Sequence, residues 1–271
     1  MLEDEFVDIL RKAKKGSGLD DGALAAASGI DPTALGAYLR GEATPPQDGA
    51  LALGRVLGLD PEKFADSAAV RWHPDIALPT YASAHPQLPQ PSNGYLIVLE
   101  DGKTAALVDP AGDPQAHVER IRAGPGTLRY LLITHKHKDH CDAAGAVAAA
   151  FPEAEVVMHP DDLFAIGPLG ARATKIVDGA TLPFGRERIV MRHTPGHTDG
   201  SSCFLFRDTL FTGDTMFAGS VGAATGDRST YRDLLASIEA KIFSLPAATV
   251  IAPGHGPPSS LAQEREHNPF F

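Results

Sequence analysis

The feature that most restricts this chain is a short apolar run ending in a crowd of metal-type side chains, LLITHKHKDH at residues 131–140. Leu131, Leu132 and Ile133 suit a buried strand, and three histidines and an aspartate follow within six residues. Alternate side chains in an extended loop turn to one side, so His135 and His137 can share one cation while Asp139 and His140 reach a second. Nitrogen and carboxylate donors of this kind suit zinc, manganese or iron. The only cysteines are Cys141 and Cys203. Two thiols argue against a closed structural zinc site and against a disulfide framework. Cys141 reads as a small buried hydrophobe.

Three later segments repeat the pattern of apolar strand, then glycine, then ligand-type side chain. His197 lies in HTPGHTDGSS, Asp214 in LFTGDTM and His255 in VIAPGHGP. Each alone reads as an ordinary turn residue. Together they supply what the first motif lacks, each at the end of a strand, where loops usually carry binding and chemistry. Asp109, in TAALVDP, is expected either to support a metal-bound histidine or to end its strand in a turn with Pro110.

The rest of the chain divides in two. Residues 1–68 read as short helices only. Asp31 with Pro32, and Asp60 with Pro61, are helix starts, while Gly29, Gly41 and Gly58 mark helix ends. Residues 69–92, with Pro74, Pro79, Pro86, Pro89 and Pro91, read as a linker merging into a first edge strand. Residues 93–271 alternate strand candidates (YLIVLE, TAALVDP, YLLITH, EVVMHP, IVMRHT, SCFLFRD, TLFTGD, TVIAPGH) with helical stretches (PQAHVERIRA, AAGAVAAAF, YRDLLASIEAKIFSL). That alternation is the mark of a layered α/β domain.

In the order and spacing of YLI, LVDP, LLITHKHKDH, HTPGHT, LFTGDTMFAGSVG, KIFSLP, VIAPGHGP and EREHNPFF, residues 93–271 resemble the metallo-β-lactamase superfamily, and within it the glyoxalase II-like (hydroxyacylglutathione hydrolase-like) hydrolases. The resemblance implies an αββα sandwich with two divalent metal ions at one edge, most often zinc, with iron or manganese as alternatives. It implies that His135, His137 and His197 hold one ion, that Asp139, His140 and His255 hold the other, and that Asp214 bridges them. It also implies catalysis at Asp139 and Asp214. Two such ions acidify a shared water, which suits cleavage of a thioester or similar activated acyl substrate, because a thiolate leaves without a strong acid. Two departures, Cys141-Asp142-Ala143 after His140 and Ala223 after Gly222, argue against assuming glutathione as the carrier. A mononuclear iron persulfide dioxygenase using His135, His197 and Asp214 is the alternative within the same fold. A β-lactamase role ranks lower, since known β-lactamases of the fold do not use an aspartate at the position of Asp214.

Residues 7–66 resemble the Cro-like helix-turn-helix family through ALAAASGIDPTALGAYLRGEATPP and ALALGRVLGLDPEKF, which implies a recognition helix from Thr33 to Arg40. Acidic side chains outnumber basic ones in this module, and the whole chain carries a net charge of −10. DNA is therefore a doubtful partner unless Lys12, Lys14, Lys15 and Arg40 converge on one face. The other expectation is a module that covers the catalytic domain or forms a homodimer. A regulator that senses a metabolite through an inert catalytic domain is the alternative from outside enzymology. The start of the chain has no apolar h-region and no run long enough to span a bilayer, so a cytoplasmic protein with no membrane partner is expected.

Overall fold

The computed structural model describes residues 2–69, 72–89 and 91–271; of the expected linker, residues 70, 71 and 90 lie outside this description. Five helices come first: α1 Phe6–Ser17, α2 Asp21–Ser28, α3 Pro32–Arg40, α4 Gln47–Leu57 and α5 Pro61–Ala69. The Asp31 carboxylate accepts the Thr33 and Ala34 N–H groups, and Asp60 does the same for Glu62 and Lys63. Gly29, Gly41 and Gly58 close their helices at φ of 70°, 75° and 71°, a conformation that disfavours a Cβ.

The remaining chain forms two six-stranded sheets. The first holds β1 Ala82–Gln87, β2 Ser92–Val98, β3 Thr104–Val108, then after α6 (Pro114–Ala123) β4 Thr127–Leu132, and after α7 (Lys138–Cys141) and α8 (Ala144–Ala150) β5 Glu155–Met158 and β6 Thr174–Lys175, in that spatial order. The second draws on β7 Thr181–Phe184, β8 Glu187–His193, β9 Ser202–Phe206 and β10 Thr209–Gly213. A small hairpin follows, β11 Met216–Phe217 with β12 Ser220–Val221, then α9 Tyr231–Ser237, β13 Val250–Pro253, β14 Ser259–Ser260 and α10 Leu261–His267. The order in this sheet is β14-β13-β10-β9-β8-β7.

Alternation along the strands sorts the core into layers. Tyr130 and Leu132 point into the space between the sheets with Tyr95, Phe184, Phe204, Phe206 and Phe211. Leu131 and Ile133 point the other way, onto Ile121, Ala144 and Val147 of the covering helices. On the far side, Leu210 and Ile251 pack with Leu234, Ile238, Leu261 and Phe270, and this cluster continues without a break into Leu10, Leu24, Leu35, Leu53 and Phe64. The αββα sandwich is thus borne out, and the helical module covers its outer face.

Two local expectations need correcting. The histidine motif is not extended throughout, because Lys138–Cys141 closes into a helical turn that carries Asp139 and His140 back over the strand end. The long helix after residue 230 is regular only to Ser237, and Ile238–Ile242 widen into a π turn that keeps Ile238 and Ile242 buried. The 3-10 segment Pro160–Ala171 and helix α10 carry too little periodic signal to stand out in sequence.

Glu264 of α10 is buried, accepting from the Gly219 N–H and Asn268 Nδ2. Burial pushes its carboxyl up from 4.5 to about 7. The unfolded chain releases that proton at the lower value, so stability falls as pH rises from 4.5 to about 7 and levels off above it. Chemical unfolding should show wild type losing about 2–3 kcal/mol relative to Glu264→Gln between about pH 5 and about pH 8.

Candidate metal centre

In the second sheet β8, β10 and β13 end at one edge, because β10 pairs parallel to β13 and β9 runs antiparallel to both β8 and β10; the segment leaving β4 of the first sheet meets them there. All seven side chains singled out from the sequence follow these ends, five on loops and Asp139 and His140 in the helical turn α7. Their donor atoms form two groups, His135, His137, His197 and Asp214, then Asp139, His140 and His255, each confined within 4.8 Å. His137 Nδ1 lies 3.1 Å from His135 Nε2 and 2.9 Å from His197 Nε2. His140 Nε2 lies 3.3 Å from His255 Nε2, and Asp139 Oδ2 lies 3.6 and 3.4 Å from those two nitrogens. Asp214 stands between the groups, Oδ2 at 3.4 Å from His197 Nε2 and Oδ1 at 3.3 Å from His140 Nε2.

These spacings fit metal ions. Nitrogens bound to one tetrahedral zinc at about 2.05 Å stand roughly 3.3 Å apart, close to what the bare side chains already adopt. Asp214 Oδ1 is buried with no hydrogen bond of good geometry, its neighbours being His140 Nε2 and His255 Nε2 at 3.3 and 3.5 Å; a cation among them would satisfy it.

Glycine makes the crowding feasible. Gly213 has φ of 48°, and a Cβ there would come within 2.3 Å of Thr134 Oγ1; at Gly254 it would fall 2.5 Å from Asp214 Oδ1 and 2.6 Å from the His140 ring.

The outer nitrogens of the histidines are held by the domain itself. Asp109, at φ of 50°, accepts from the Thr134 N–H, from Thr134 Oγ1 and from His140 Nδ1 at 2.8, 2.8 and 2.9 Å. Thr134 Oγ1 lies 3.0 Å from His135 Nδ1, the Ala223 carbonyl 2.6 Å from His197 Nδ1, and Thr225 Oγ1 3.4 Å from His137 Nε2. Of the two expectations for Asp109, support of a histidine is the one the geometry favours. Thr134, Thr225 and Asp162 escaped the sequence reading. Asp162, which ties the first loop to the second through Lys136 N–H, Thr198 Oγ1 and Gly200 N–H, had a signal in its place after the EVVMHP strand.

Electrostatics divides the groups. Burial drives His135 well below its ordinary range and His197 to about 4, leaving neutral imidazoles with free lone pairs. Burial also opposes charge on His140 and His255, but Asp214 and Asp109 hold His140 well above its ordinary value, and Asp139 and Asp214 raise His255 to about 10. Burial works against the Asp214 anion too, yet the histidines around it keep it ionised. Cys141 is buried and pushed up to about 12, a packed thiol rather than a ligand.

Residues 88–255 match the metallo-β-lactamase superfamily and residues 10–64 a helix-turn-helix family. This chain belongs to the metallo-β-lactamase superfamily, with a helix-turn-helix domain ahead of the catalytic fold. Among curated relatives, hydroxyacylglutathione hydrolase GloC of Haemophilus influenzae is 31% identical over 193 residues, covering 65% of this chain and 91% of its own length. Among solved structures, BLEG-1 B3 metallo-β-lactamase superposes with a TM-score of 0.61 at 31% identity, over 70% of this chain and 98% of that one. ETHE1 from Myxococcus xanthus gives 0.59 at 30% identity, over 66% and 78%. No described helix is long and apolar enough to cross a membrane.

Replacing Asp109 removes the carboxylate that orients His140 and braces Thr134. Asp109→Ala should weaken metal binding by about 10–100-fold in competition against a chromogenic chelator, with Asp109→Asn falling between it and wild type.

Proposed function

We propose that the chain is a binuclear metal-dependent hydrolase that cleaves a thioester or similarly activated acyl bond. The observation that carries this reading is the placement of Asp214, with one carboxylate oxygen toward each of two complete donor groups. His135, His137 and His197 would hold one divalent ion, Asp139, His140 and His255 the other, and Asp214 would bridge them, with zinc the first candidate and iron or manganese the alternatives. When bound, such a pair acidifies a shared water toward a pKa of about 7 and polarises an acyl oxygen.

The chain's own residues do the rest. Asp139 is partly open to solvent and held below its ordinary range by His255, so it stays ionised; with Oδ2 turned to His140 and His255, Oδ1 is the oxygen that can take a proton from the attacking water. Neutral His135 and His197 keep their lone pairs aimed inward, fixed by Thr134 and the Ala223 carbonyl. Departure of a thiolate, of ordinary pKa about 8.5, needs no dedicated acid, and no cysteine or serine nucleophile is required.

GloC, the relative from Haemophilus influenzae, puts glutathione thioesters into the first substrate panel, although Ala223 here leaves the loop after Gly222 without a basic side chain. Protein purified without added metal should carry close to two equivalents and hydrolyse at least one thioester of a panel spanning different thiol carriers. His137→Ala and Asp214→Ala should each lower kcat/KM by about a thousandfold or more. One equivalent of iron with oxygen uptake on a persulfide would instead favour the dioxygenase reading, for which His135, His197 and Asp214 are equally well grouped. BLEG-1 earns a β-lactam a place in the same panel.

A DNA-reading role finds little support in the charges. Lys12 and Lys15 donate to the Val221 and Ala224 carbonyls of the catalytic domain, Lys14 pairs with Asp21, and Arg40 is bound by both oxygens of Glu42. The four cations do not make one face. Gel-shift titrations at about 0.15 M salt should show only weak binding, without sequence preference, and tight specific binding would restore the regulator reading.

A further inference from the structure

Four of the five histidines at the centre have their outer nitrogen met from within the catalytic fold, by Asp109, Thr134, Ala223 and Thr225. His255 is different. Its Nε2 faces Asp139 and Asp214, while its Nδ1 makes no hydrogen bond to the described residues. The group opposite Nδ1 is the carboxylate of Glu3, with Oε1 at 4.0 Å. Glu3 lies in the segment leading into α1, outside both of the stretches that match known families.

That segment is pinned against the loops of the metal centre. A Cβ on Gly256 would stand 3.1 Å from the Glu3 nitrogen and 3.3 Å from its Cβ, so the residue after His255 is in direct contact with Glu3. Asp4, the next residue, accepts from Ser220 Oγ and pairs with Lys12. Lys12 in turn donates to the Val221 carbonyl at 2.7 Å. Residues 3–12 therefore span from the His255 turn to the β11–β12 hairpin that follows Asp214.

We propose that Glu3 is a positioning residue for His255, so that the helical domain completes the second metal group from outside the catalytic fold. At 4.0 Å the Glu3 carboxylate makes no hydrogen bond to Nδ1 but sets its charge beside it; drawn to hydrogen-bond distance when the centre is loaded, a carboxylate there fixes the tautomer that leaves Nε2 free to bind a cation and raises the basicity of that nitrogen. Withdrawing it leaves His255 positioned only from its Nε2 side, by Asp139, Asp214 and His140, and by the edge-on Phe217 ring at 5.7 Å. Seating of the helix-turn-helix domain and retention of the second ion are thereby coupled.

This inference rests on the binuclear reading, and zinc titration of the metal-free full-length chain separates the two. In competition with a chromogenic chelator, wild type should take two equivalents, and His255→Ala should mark the weakened one. Glu3→Ala should lower the affinity of that same equivalent by about tenfold or more and leave the first unchanged. Glu3→Gln, which keeps the volume and an acceptor oxygen but not the charge, should fall between. Identical titrations for Glu3→Ala and wild type, or equal weakening of both equivalents, would overturn the role of Glu3 while leaving the binuclear centre standing. A wild type that binds one equivalent would overturn both.

Discussion

Seven donor side chains meet where three loops and a helical turn leave the sheets, and everything nearby is arranged around the mutual repulsion and desolvation that this entails. Imidazole nitrogens about 3 Å apart beside a buried carboxylate carry a heavy desolvation cost. A divalent cation between them would offset that cost. The protein tolerates the arrangement because its other layers are conventional: aromatic and branched side chains between the sheets, alanine and valine under the first sheet, leucine and isoleucine under the second. Rigidity there keeps the strand ends from relaxing apart.

The supporting groups show how such a cluster is prevented from collapsing. Asp109 takes a backbone conformation unfavourable for a non-glycine residue and in exchange reaches three donors at once. Backbone strain of this kind persists only where the surroundings over-determine it. The short turn of α7 performs a complementary task. It carries two ligand-type side chains around to a second group without lengthening the loop, so the first motif serves both groups.

Much of this was legible in the sequence, for reasons that can be named. The ligand-type residues stand directly after apolar strands, and the strands could be read because Leu131 to Ile133 or Leu210 to Phe211 leave few other options. The helical module was equally readable, since Asp31, Asp60, Gly29, Gly41 and Gly58 are local punctuation whose meaning does not depend on tertiary context. What sequence could not convey was anything set by packing across the chain. Thr134 and Thr225 look like any threonine until a histidine nitrogen is placed beside them. The docking of α1, and with it the fate of Lys12 and Lys15, depends on contacts more than 200 residues apart in sequence.

Gln87, in the edge strand β1, donates through Nε2 to the Asp109 carbonyl at 2.6 Å, and Gly94 on the neighbouring strand leaves room for it. It stands one position before the stretch recognisable as the superfamily. The working boundary of the catalytic unit thus begins earlier than its family signature, inside what reads as a proline-rich connector. Trimming the chain to the recognisable part would strip an outer buttress from the residue on which the innermost histidine leans, a reminder that homology marks where chemistry is shared and not where mechanical support ends.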